Sequence, residues 1–454
     1  MLTASPEEFR HKQTFHPPNP YVASGRPCLI FLRFFMTVSL PAKTLSALLV
    51  SCSILAACGG GGSDGSDPTA TANRLRRPGS STPASSPSAA SSATPTSGVI
   101  SITQAPYNAD PTGKTDSTNA IQNALTAAAA NGSSVSIPAG TFVYSNMLNV
   151  NGIAVTGAGK ASILKATNVA NEAIHLTGTG ASLSNFAMTS PATTRSNGAW
   201  ETAMVWIDGA KNFNVQGLTI TGSASAGIFN NGGQGGTIQN NTVQNTLADS
   251  ITNTNGANGT VISGNLVTGS GDDGISIVSY SNAPIVQNIT VKNNTVKGQV
   301  WGRGLSVVGG NNVTYTSNVV DNTDSYADLY ISAESEYNTF GVSNVTVTGN
   351  TFLHGGASQG TVTVYNSQGS TYSISGVNMS GNQIVNPGFV GFQFVGNGTE
   401  TGTVQNSTLY SALGSPALQN NGNSKSNFPV TGTTMAAVSA YSTPIAAGGA
   451  GATN

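Results

Sequence analysis

A repeated tripeptide limits the folds open to this chain. Asn241-Thr242-Val243, Asn265-Leu266-Val267, Asn294-Thr295-Val296, Asn318-Val319-Val320, Asn350-Thr351-Phe352, Asn382-Gln383-Ile384 and Asn406-Ser407-Thr408 each put an asparagine ahead of a short β-prone stretch. Their spacings are 24, 29, 24, 32, 32 and 24 residues, so a base period of 24 carries insertions. About ten to twelve residues after an asparagine comes a second short strand, as in Ile275-Ser276-Ile277, Leu305-Ser306-Val307 and Leu329-Tyr330-Ile331. Two or three strands per period, each alternating apolar with polar, suit the coil of a parallel solenoid, where inward residues stack into a core and outward ones form flat faces. Propellers and sandwiches need hairpins with tight Asn-Gly-type turns, and the linkers here are longer. The asparagines read as a ladder that satisfies backbone groups at the turns.

Composition agrees. Among 454 residues there are 55 glycines and only 8% charged residues, which suits many short strands and tight turns. From Gly98 onward nine Lys and Arg face fourteen Asp and Glu, 9 − 14 = −5, so nothing invites a polyanion and nucleic acid is excluded as a partner. The three cysteines, Cys28, Cys52 and Cys58, precede the repeats, so no disulfide staples them.

The chain ahead of the repeats has three parts. Residues 1–35 look dispensable, with Met36 an alternative start. Residues 36–57 read as a signal peptide whose apolar run, Leu45 to Ala57, is short for a membrane span. Leu55-Ala56-Ala57-Cys58 resembles the bacterial lipobox, which implies a lipidated Cys58 and an envelope location, the outer membrane rather than the inner, at the surface or in the periplasm. Residues 58–97 are rich in Gly, Ser, Pro, Thr and Ala and make a disordered tether. The solenoid is expected over 98–430 and a flexible tail over 431–454.

At the entry to the solenoid, Asp116 can cap a short helix with Ala120, Ile121, Ala124, Leu125 and Ala128 on one side. Val135 to Phe142 then reads as a strand. This segment resembles the entry of pectate-lyase-like and tailspike β-helices, in which a helix covers the open end of the first coil.

The acids are not spread evenly. Eight of the fourteen lie between Asp249 and Glu336. Asp249 precedes Ile251 by two residues, as Asp273 precedes Ile275 and Arg303 precedes Leu305. If those apolar residues share one coil position, Asp249, Asp273 and Arg303 form a column with rungs about 4.8 Å apart and Asp272 beside it. Carboxylates so close repel, so at least one keeps its proton to unusually high pH. A proton donor beside a proton acceptor is what glycosidic cleavage requires. Tyr280, Trp301 and Tyr330 offer faces for sugar rings, and Arg303, Asp328 and Glu334 offer polar contacts. Turn chemistry is the plainer reading of Asp272-Asp273, and the acids also suit Ca²⁺.

The window resembles the polygalacturonase-type glycoside hydrolases, right-handed parallel β-helices that cleave pectin-like polymers with inversion. Gly271-Asp272-Asp273 matches their Gly-Asp-Asp motif and Asp249 their earlier aspartate. Gly302-Arg303-Gly304 stands where they have Gly-His-Gly, and Asp328-Leu329-Tyr330 where they have Arg-x-Lys. The resemblance implies an all-β, right-handed single-stranded parallel β-helix with an N-terminal capping helix, belonging to the pectin-lyase-like superfamily. It implies a glycan-acting site with Asp272 as general acid and Asp249 and Asp273 holding and deprotonating water. The expected partner is a polysaccharide or oligosaccharide, with no cofactor needed. A polysaccharide lyase or epimerase, and a non-catalytic glycan-binding or structural β-helix, are the alternatives.

Overall fold

The computed structural model describes residues 98–196, 200–321, 326–411 and 417–442. Every paired strand in the two large sheets lies parallel to its neighbour, one coil after another. One sheet has eleven strands and the other twenty-five. The period read from the sequence is the coil of this parallel β-solenoid. Ile228, Ile251, Ile275, Leu305, Leu329 and Val362 stand in register on successive strands of the eleven-stranded sheet. All are essentially inaccessible to solvent. Each such side chain contributes on the order of 1.5–3 kcal/mol by leaving water, so the core is a sum of stacked layers.

The asparagine ladder holds the turn between two strands of each coil. Asn294 accepts the backbone N–H and the side-chain amide of Asn265 on its Oδ1, both at 2.9 Å. Its own amide donates to the Ile262 carbonyl and to Asn318 Oδ1, both at 3.0 Å. The pattern repeats from Asn241 to Asn382. The last tripeptide departs from the expected register. Gln383 pairs with Thr408, so Ser407 takes the ladder position one residue later than the period of 24 gives, and its hydroxyl accepts the Asn382 N–H. Asn406 instead fills the preceding turn position, at φ 48°, which Asn293 and Gly349 fill at 55° and 63°. Asparagine and glycine suit that left-handed backbone, which is why an asparagine there mimics a ladder residue in sequence.

The capping helix spans Thr118–Asn131 and buries Ile121, Ala124, Leu125 and Ala128. Asp116 Oδ1 accepts the Thr118 N–H at 2.7 Å, although Ser117 occupies the cap position. The strand expected over Val135 to Phe142 is two, Ser134–Ile137 and Gly140–Tyr144, broken at Pro138, which has no N–H to give a ladder. At the other end the boundary at 430 falls inside the solenoid. Thr434–Ala437 pairs in parallel with Thr408–Ser411 and adds a further rung. Cys58, the signal peptide and the tether lie outside the described residues.

Candidate active site

The acidic column is built by the coil corner that leads into the eleven-stranded sheet. Ile251, Ile275 and Leu305 are in register, so Asp249, Asp273 and Arg303 stack on consecutive rungs. After Asp273 and Arg303 the next residue is a glycine, and in both places it is a packing requirement. A Cβ on Gly274 would come within 2.4 Å of Val296 Cγ1, and one on Gly304 within 2.2 Å of Val320 Cγ1. The glycines after these two corner residues therefore serve the fold.

Each carboxylate is tied to the next coil. Asp249 Oδ1 accepts the Asp273 N–H at 3.1 Å and its Oδ2 accepts the Ser276 hydroxyl. One rung on, Asp273 Oδ1 accepts the Arg303 N–H at 2.7 Å and its Oδ2 accepts the Ser306 hydroxyl. The turn-acceptor reading of Asp272-Asp273 thus describes part of what Asp273 does, and Asp249 accepts a backbone N–H in the same way one rung earlier. Asp272 makes a 2.8 Å ion pair with Arg195, a residue the repeat arithmetic did not reach.

Asp249 and Arg195 border a cavity of about 590 Å³ whose walls also include Trp200, Phe229, Tyr280 and Tyr337; Asp272, paired with Arg195, and Asp273 adjoin these groups and are not among its lining residues. Its walls are the departures from the 24-residue period. Arg195 and Trp200 come from the long connection between Ser182–Thr189 and Val205–Asp208, Tyr280 from the 29-residue coil, and Tyr337 and Asn338 from the next 32-residue coil. Tyr280 and Thr339 form an antiparallel bridge that joins the last two insertions. Trp200 stacks on Phe229 with ring centroids 4.7 Å apart, and Phe229 is in register with Trp206, which stacks on His175 at 4.1 Å. An aromatic row therefore leads out of the cavity toward the N-terminal coils.

Burial, then repulsion from Asp272 and Asp273, pushes the Asp249 carboxyl up to about 8. Asp249 keeps part of its surface open to the cavity. Burial and then Asp273 raise Asp272 to about 6, with Arg195 and Arg303 pulling in the opposite direction.

The remaining expected site residues lie in different places. Tyr280 lines the cavity and is 42% exposed. Trp301, 39% exposed, packs edge-on against Tyr326 at 5.5 Å and is not among the cavity's lining residues. Arg303 lies 4.2 Å over the Tyr330 ring, 3.8 Å from Asp273 and 3.5 Å from Glu334. Tyr330 donates to Glu334 Oε1 at 2.8 Å. Asp328, Tyr330 and Glu334, expected to contact sugar, are instead buried under the surface, and a Cβ on Gly355 would come within 2.4 Å of the Asp328 carboxyl carbon. They support Arg303 and the corner from beneath. Among the described residues no group of three His, Cys, Asp or Glu side chains is placed to hold a metal ion.

Residues 102–327 match the family profile described as rhamnogalacturonase A/epimerase, pectate lyase-like. The chain has the pectate lyase-like fold. This pectate lyase-like solenoid resembles the catalytic unit of a thermostable GH87 α-1,3-glucanase from Streptomyces thermodiastaticus strain HF3-3, at 21% identity over 76% of this chain and 71% of that one, TM-score 0.56. It resembles the Agl-KA catalytic domain at 18% identity over 75% and 67%, TM-score 0.60. A GH87 α-1,3-glucanase catalytic domain carrying an aspartate-to-alanine replacement, solved with tetrasaccharides, matches at 19% identity over 69% and 64%, TM-score 0.51. Structures of that catalytic domain with three different aspartate-to-alanine replacements separate the replaced positions by 23 and 1 residues. No curated protein matches this chain in sequence.

Proposed function

We propose that this protein hydrolyses glycosidic bonds in a neutral polysaccharide, with inversion, using Asp249, Asp272 and Asp273. The observation that carries the reading is a carboxyl pushed up to about 8, facing an aromatic-walled cavity, beside a second carboxyl at about 6. Near neutral pH the first is protonated and the second is ionised, which supplies an acid and a base at once. Asp249 is then the proton donor to the leaving oxygen. Asp272, held toward its ionised form by Arg195, takes a proton from water. Asp273 anchors the next coil through the Arg303 N–H and orients the pair. This reverses the roles of Asp249 and Asp272 expected from sequence, because Arg195 was not visible there.

The spacing of the three aspartates supports the assignment. Asp249, Asp272 and Asp273 are separated by 23 and 1 residues, the separations of the replaced aspartates in the GH87 α-1,3-glucanase structures. The charge pattern favours a neutral sugar over a uronate. Arg195, the cation among the lining residues, already faces Asp272, and Arg303 is committed to Asp273 and Glu334. Trp200, Phe229, Tyr280 and Tyr337 offer apolar faces to pyranose rings. A lipid on Cys58 would keep this body at the cell envelope on a tether able to reach a polymer, and palmitate incorporation that persists in Cys58→Ala excludes the anchor.

The test is product analysis on a panel of neutral and acidic polysaccharides that includes α-1,3-glucan and polygalacturonate. The expected result is new reducing ends from a neutral glucan, absent in Asp249→Asn, with inverted anomeric configuration in early proton NMR spectra. Unsaturated or epimerised uronate products, or oligosaccharide retention without turnover, would replace the hydrolase reading.

A further inference from the structure

Glu172 is fully buried and takes no part in the chemistry above. It sits where three segments that wall the cavity meet. Its Oε2 accepts the Ser190 hydroxyl, and its Oε1 accepts the Ala224 N–H at 2.7 Å. Its backbone N–H donates to the Glu201 carbonyl at 2.9 Å, and its carbonyl accepts the Tyr144 hydroxyl at 2.7 Å. Ser190 opens the segment that carries Arg195, and its hydroxyl also accepts the Ala192 N–H at 3.1 Å. The far end of that segment is pinned at the same place, where the Ser196 N–H donates to the Ala224 carbonyl at 2.7 Å. Glu201 adjoins Trp200, and Ala224 leads to Ser225 and Ala226, which also line the cavity.

A buried carboxylate is costly unless its oxygens are hydrogen-bonded. Both of these oxygens are spent on holding loop backbone and one loop hydroxyl. We infer that Glu172 is the positioning residue that fixes the Ser190–Ser196 segment, and that through Arg195 it sets the charge carried by Asp272. The inference rests on the proposed hydrolase reading only for its consequence in turnover. Its structural content can be measured without any substrate.

The groups that face Asp272 are Asp249, Asp273, Arg195 and Arg303, with the hydroxyls of Tyr280 and Tyr337 from the two insertions also near it. Of the two cations, Arg195 makes the direct ion pair and is the one whose place depends on Glu172. An opposite charge at contact distance strengthens a carboxylic acid by about tenfold or more. Releasing the segment should therefore make Asp272 a weaker acid by about tenfold, as removing the guanidinium would. Glu172→Gln keeps an oxygen for the Ala224 N–H and offers its amide to the Ser190 oxygen, so it should restore the wild-type arrangement.

The experiment is carboxyl-carbon NMR titration of Asp272 in the full chain with labelled aspartate, in wild type and in Glu172→Ala, Glu172→Gln, Ser190→Ala and Arg195→Met. Folding of each variant is checked by circular dichroism, and Ser190→Ala removes the same contact with little change of volume. We expect Asp272 to titrate at higher pH in Glu172→Ala, Ser190→Ala and Arg195→Met, near wild type in Glu172→Gln, and with no further change when Ser190→Ala is combined with Arg195→Met. A wild-type titration in folded Ser190→Ala, or additive effects in the double variant, overturns the inference. If the titrations behave as expected while no glycan is cleaved, the positioning role stands and the hydrolase reading fails.

Discussion

Replacing Asp249 by asparagine should make the protein more stable at pH 8 while stopping turnover. In the folded chain its carboxyl is raised to about 8 from an unfolded value of 3.8, chiefly by burial and then by Asp272 and Asp273. Folding therefore takes up a proton between those two values, and wild-type stability must fall as pH rises from about 4 to about 8. Each pH unit in that interval costs the folded state about 1.4 kcal/mol. Counting half the interval, because Asp249 faces cavity water, gives about 3 kcal/mol. The asparagine keeps an oxygen for the Asp273 N–H, and its amide can donate to Ser276, so little hydrogen bonding is lost. Urea unfolding of wild type and Asp249→Asn at pH 4, 6 and 8 reads the difference, which should be near zero at pH 4 and favour the variant increasingly above it. A variant less stable than wild type at pH 8, or a difference independent of pH, would show that Asp249 is a turn acceptor and refute the reasoning.

If Asp249 donates and Asp272 accepts a proton, kcat/KM on a neutral glucan rises through about pH 6 and falls through about pH 8, and Arg195→Met moves the rising limb to higher pH. A flat profile between those values speaks against the pair. Asn294→Ala removes four buried hydrogen bonds and leaves partners stranded in two coils, so unfolding free energy should drop by about 3–4 kcal/mol in denaturant titrations. A loss below about 1 kcal/mol would mean water replaces the ladder. Trp200→Ala takes away the ring stacked on Phe229 and should raise KM for polymer about tenfold with kcat little changed, whereas an unchanged KM would place the sugar elsewhere.

The repeat made much of this architecture legible before any coordinates. Inward residues recur because each coil must present the same apolar layer to the next, so Ile251, Ile275 and Leu305 announce their shared position, and the acids two residues earlier inherit it. What was not legible follows from the same logic. Arg195 and Trp200 lie in a connection with no counterpart in other coils, and Phe229 and Trp206 alternate outward in strands whose sequence says only that they face away from the core. Their aromatic character on an outer face was the available signal. Asp328, Tyr330 and Glu334 share the acid-rich window but lie beneath the surface, because Tyr330 and Glu334 hold Arg303 from below and the coil carrying Gly355 covers Asp328. Ser407 could not be told from Asn406, since a left-handed turn residue and a ladder residue draw on the same amino acid.

The bridge between Tyr280 and Thr339 spans a coil that has no insertion of its own. The intervening chain passes under it at Gly309, where a Cβ would lie 2.9 Å from the carbonyls of both Ser279 and Phe340. The wall is thus an arch whose two feet stand on separate coils and whose span crosses a gap kept clear by one bare residue. Lengthening either foot would widen or tilt the opening, and so admit branched or differently linked chains, while the aspartates beneath stayed in register with their own rungs.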